Sequence, residues 1–185
     1  MGPGDYALAA LQGVVSWLAL SRAQNAGLVS TVPAILFKAL TFGSLAGLGS
    51  LFLMGAIYAR IVRRPGDAPL RNAVFHVLAY GGVPAAASLA PWLLTAVIAG
   101  ETTFAQSPGP EVESFPLLLA RMQFIAYVLL LLWSIVLQIM GFSEIQNVAP
   151  RKALATWVIG QLIGFLALLV VAVLLNLLLP AGAGP

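Results

Sequence analysis

The chain is 185 residues long, 61% hydrophobic and 8% charged, with a net charge of +3. A soluble domain carries roughly a quarter charged residues, so this composition excludes a water-soluble globule and points to a lipid bilayer. The absence of cysteine removes disulfides and thiolate metal sites, and arginines scattered at the ends of apolar runs, with no dense basic tract, speak against a nucleic-acid partner.

A helix needs about 20 apolar residues to cross roughly 30 Å of hydrocarbon. The apolar runs predict an all-α polytopic transmembrane bundle forming one integral membrane domain, with five spans at 6–21, 35–62, 72–99, 116–142 and 153–179. The first run, Tyr6 to Leu20 closed by Ser21 and Arg22, is short for a span. Gln12 and Ser16, four apart, give it one mildly polar stripe. Its other faces carry too little charge for a surface helix, so it is expected to cross; four spans plus an interfacial helix is the alternative. No basic stretch precedes it, and it is expected to stay in the mature protein.

A polar connector from Ala23 to Pro33 leads to the second run, where Lys38 near the start and Arg60 near the end are placed to snorkel to the two surfaces. Its centre, GSLAGLGS, sets Gly43 and Gly47 four apart, a small-residue face that lets another helix backbone come close. The loop RIVRRPGDAPLR, 60–71, is short and cationic. The third run contains Gly81-Gly82, Pro84 and Pro91. Each proline deletes a backbone hydrogen bond and clashes with the preceding turn, so a kinked or broken helix is expected. The polar loop from Gly100 to Phe115 carries Glu101, Glu111 and Glu113. After the fourth run, GFSEIQNV reads as a solvated turn holding Glu144, with Ser143 able to cap a short helix through it. The fifth run places Trp157 where an aromatic interface anchor would sit and repeats the four-residue glycine spacing at Gly160 and Gly164.

Orientation follows from basic residues in short loops. Arg60, Arg63, Arg64, Arg71, Arg151 and Lys152 fall on one side, against Arg22, Lys38 and Arg121 with the three glutamates on the other. Five spans then put the N-terminus in the cytoplasm and the C-terminus outside.

Candidate chemistry is sparse. His76, the single histidine, sits about one turn into the third run, where it could ligate a haem or chlorophyll metal; the plainer expectation is a structural or interfacial imidazole. Gln123, Gln138, Gln161 and Asn176 lie within apolar runs and are expected to seek partners across helices. No nucleophile elbow, P-loop, dinucleotide fingerprint or metalloprotease motif is present, so no enzyme, cofactor or metal is expected.

Residues 53–84, LMGAIYARIVRRPGDAPLRNAVFHVLAYGGVP, and residues 131–159, LLWSIVLQIMGFSEIQNVAPRKALATWVI, resemble the bacterial branch of the Yip family of multi-pass membrane proteins. The likeness lies in a span ending in a basic glycine-containing loop, in Ala79-Tyr80 ahead of Pro84, in Trp133-Ser134 within a span, and in Gly141 and Glu144 before Arg151-Lys152-Ala153. It implies five spans, a cytoplasmic N-terminus and a non-catalytic role as accessory, assembly or scaffolding partner, with no catalytic residues to carry over. The expected partners are membrane lipids and other integral membrane proteins, with a homo-oligomer left open. A structural subunit of a respiratory, photosynthetic or transport supercomplex is one alternative; a passive permease or lipid-handling protein, suggested by the broken third run, is another.

Overall fold

In hydrocarbon every backbone polar group must be paired within the protein, and helices do this segment by segment. The computed structural model of the chain describes residues 1–62, 70–105 and 115–178. Arg63, Arg64, Glu111 and Glu113 lie outside them, as does the side chain of Asn176. The described elements are helical, with no strand among the described residues: α1 (Pro3–Ala23), a 3₁₀ turn (Ala26–Leu28), α2 (Val32–Lys38) continuing through a π segment (Ala39–Gly43) into α3 (Ser44–Ile61), α4 (Leu70–Gly81), α5 (Val83–Ala87), α6 (Leu89–Ala99) with a 3₁₀ turn after it (Gly100–Phe104), α7 (Phe115–Gln146) and α8 (Pro150–Leu178). Four stretches are long and apolar enough to cross a membrane: Val32–Ile61, Leu70–Phe104, Phe115–Gln146 and Pro150–Val171.

α1 is longer than the apolar run suggests. It has 21 residues, or about 31 Å at 1.5 Å per residue. Pro3 stands in its first turn with φ already suited to a helix, and the Asp5 carboxylate accepts the Gly2 N–H at 2.7 Å. Ser21 and Arg22, expected to close the helix at the surface, are instead buried inside its last turn. α1 lies alongside the third span from end to end: Asp5 meets His76, Gln12 reaches Ala79, and Arg22 reaches Thr103.

The third span is broken where its prolines predict. α4 stops at Gly81, Pro84 sits in the first turn of α5, and Pro91 in the first turn of α6. Neighbouring side chains take up the backbone groups around the breaks. Gln12 Nε2 donates to the Ala79 carbonyl at 2.8 Å, the Ala85 N–H donates to Ser134 Oγ at 2.9 Å, and Ser88 Oγ donates to the Ala85 carbonyl at 2.6 Å. The discontinuity is thus sealed inside the bundle.

The turn expected at Glu144 is helix instead. α7 runs to Gln146, and Glu144 is an exposed residue of its last turn. Ser143 caps no separate helix; its Oγ donates to the Val148 carbonyl at 2.6 Å and ties α7 to a connector of three residues, 147–149. Asn147 turns the chain with a left-handed φ of 50°, and Pro150 opens α8.

Three of the closely packed helix pairs run antiparallel, while α1 and the third span run parallel. α1 is antiparallel to α3 through Ala9, Gly13 and Trp17 against Gly47 and Gly43; α3 to α8 through Tyr58 and Met54 against Gly160 and Gly164; α4 to α7 through Val77 and Gly81 against Gly141 and Gln138. Two packed cores are stacked along the bundle. One, around Tyr58, Phe75 and Phe142, lies toward the end holding the N-terminus; the other, around Leu18, Trp92 and Phe104, lies toward the far end.

Candidate functional site

The small-residue faces are used in two ways. Gly43 and Gly47 abut Gly13 of α1, and a methyl added to Gly13 or Gly47 would strike backbone atoms of the other helix. Gly160 and Gly164 instead leave holes for large side chains, the Tyr58 ring and the Met54 thioether. Trp157 departs from the interface role expected of it. It lies about two turns inside α8, is partly buried, and its indole N–H donates to Gln138 Oε1 at 2.9 Å. Arg60, Arg71, Arg151 and Lys152 are exposed, all at the end of the bundle where the N-terminus lies.

Each end of α1 carries a buried charged side chain. Asp5 is 1% exposed, and its Oδ1 lies 2.8 Å from His76 Nδ1. The carboxylate fixes the imidazole through Nδ1; His76 itself is half-exposed and packs 6.0 Å from the Tyr80 ring. Among the described residues no group of three or more His, Asp or Glu side chains could hold a metal ion. At the other end Arg22 donates to the Thr103 carbonyl at 2.6 Å and lies 5.4 Å from the centroid of the Phe124 ring. Gln123, on the same helix as Phe124, is buried with neither amide atom paired among the described residues.

A concavity lies between these ends. It is a crevice of about 870 Å³ walled by α1 (Gln12, Ser16, Trp17), α3 (Gly49, Ser50, Met54) and α8 (Gln161, Phe165), with Leu78 and Gln138 contributing from α4 and α7. None of its lining residues is charged. Gln12, Gln138, Gln161 and Ser50 lie about 14, 12, 16 and 16 Å along their helices from the helix ends on the N-terminal side, a distance close to half of a hydrocarbon layer roughly 30 Å thick. Four different helices therefore bring hydrogen-bonding groups to one level.

No family model, curated protein or solved structure matches the chain.

Sequence reasoning singled out the amides within the apolar runs but neither gathered Gln12, Gln138 and Gln161 at one level nor found Asp5. An acid in the first helical turn ordinarily complements the helix dipole at the surface. The usable signal was the pairing of one histidine with an acid at the same end of two parallel helices.

Proposed function

We propose that the chain is a five-span, non-catalytic protein of a bacterial cytoplasmic membrane, N-terminus inside, that acts as an accessory or assembly partner of other membrane proteins. The observation that carries this reading is the outer half of α8. From Phe165 to Leu174 its described large apolar side chains are between 48% and 64% exposed. They include the consecutive residues Leu168, Leu169, Val170 and Val171, which point all round the helix. Among the described residues most of this half's apolar surface is left uncovered by the chain itself. Lipid satisfies such a surface, but a second protein packs against it with more contact and more specificity, since helix association in bilayers is driven by packing. The likeness to Yip proteins over residues 53–84 and 131–159 supports the same reading, and the exposed Arg60, Arg71, Arg151 and Lys152 support the orientation.

The test is a photoreactive residue at Leu166 or Leu169 in cells of the native host. The expected result is one recurrent adduct with another membrane protein. Adducts only to lipid or to a second copy, together with a purified chain that carries no other protein, would contradict the proposal.

A further inference from the structure

We infer that the crevice between α1, α3 and α8 is a binding site for an uncharged lipid bearing a carbonyl group, entered sideways from the membrane core. Its mouth is lateral. Ser16, Gly49, Ser50, Phe165 and Leu168 line it and are themselves exposed on the side of the bundle. Its size suits a slender ligand. The volume of about 870 Å³ falls in the range of roughly 300–1,000 Å³ typical of small-molecule sites. Ten residues of a partner helix, about 15 Å long and 10–12 Å across, would displace on the order of 1,400 Å³.

The lining chooses the chemistry. With no charged residue in the crevice, an ionic headgroup drawn to mid-depth would be left unpaired in a medium where that is costly. A purely hydrocarbon occupant would leave the polar groups unused. Gln138 spends its Oε1 on Trp157, which leaves the amide N–H₂ to donate. Gln12 spends one N–H on Ala79. Among the described residues the hydroxyls of Ser16 and Ser50 have no protein partner, and each can donate. Donors from three helices thus face an apolar slot in the middle of the bilayer, an arrangement that fits the carbonyl of a glyceride or of an isoprenoid quinone. Both share that chemistry, and competition separates them.

Gly49 provides the decisive variant. It lines the crevice, and a Cβ added there meets nothing within 4 Å, so the side chain of Gly49→Leu starts from open space at the crevice wall. The full chain, in phosphatidylcholine nanodiscs, is labelled with a diacylglycerol carrying a diazirine in its acyl chain. The expected result is saturable labelling on crevice residues such as Met54 and Phe165. Excess unlabelled dioleoylglycerol should remove it if the site takes glycerides, or decylubiquinone if it takes quinones. Ser50→Ala should weaken it about fivefold, as loss of one neutral hydrogen bond does. Gly49→Leu should abolish it while circular dichroism and the melting temperature report an intact fold. Non-saturable labelling, competition by neither compound, labelling unchanged in Gly49→Leu, or a second copy of the chain crosslinked through the crevice would each overturn the proposal. None of these outcomes bears on whether α8 contacts another protein.

Discussion

Asp5 shows how much one residue depends on a distant one. A buried carboxylate is costly unless its oxygens are hydrogen-bonded, and here the Gly2 N–H at 2.7 Å and His76 Nδ1 at 2.8 Å supply the partners. His76→Ala is expected to lower unfolding stability by about 2 kcal/mol, the scale of a hydrogen bond to a charged group, read by denaturant titration of the purified protein in detergent. In Asp5→Asn the same histidine substitution should cost less, because the two residues share one interaction. Equal costs in both backgrounds would show that the pair is not coupled. The lone histidine was visible in the sequence; its partner, 71 positions away, was not, because nothing local distinguishes a buried first-turn aspartate from a solvated one. Arg22 was hidden for the same reason. It counts as a surface charge until the Thr103 carbonyl and the Phe124 ring are brought over it.

Among the helices, the sharpest contrast is between two glycines of α3. Burial from water gives little drive to helix pairing inside a bilayer, so close fit carries the stability. Gly47→Ala puts a methyl into the Ala9 carbonyl and the Gly13 backbone and is expected to destabilise by about 1–3 kcal/mol, as overpacking does. Gly49→Ala meets nothing within 4 Å and is expected to be neutral or to stabilise by up to about 1 kcal/mol through helix propensity. Thermal melts of the two variants side by side check this; a similar loss in both would place the α1–α3 crossing elsewhere. The glycine spacing was legible, and so were the proline breaks of the third span, because both are local rules of backbone geometry. The identity of the opposing helix was not, since Gly13 stands alone in its run. Nor was the π segment Ala39–Gly43, where the Thr41 hydroxyl donates to the Phe37 carbonyl at 2.9 Å in place of an ordinary helical partner.

For the whole molecule, the central claim is that α1 is a transmembrane element despite its polar ends, running parallel to the third span and antiparallel to α3. Hydropathy identified the four most apolar spans; the first, short for a span, was expected to cross on its low charge alone, with an interfacial helix as the alternative. What bears on that choice is contact at both ends, Asp5 to His76 and Arg22 to Thr103, which no window of sequence contains. The chain has no cysteine, so single cysteines can be introduced at Gly2, Leu28, Glu101 and Ala149 and probed with a membrane-impermeant maleimide on intact cells and on inverted vesicles. The account predicts Gly2→Cys and Ala149→Cys labelled only from the cytoplasmic face, and Leu28→Cys and Glu101→Cys only from the outer face. Labelling of positions 2 and 28 from the same face would contradict it.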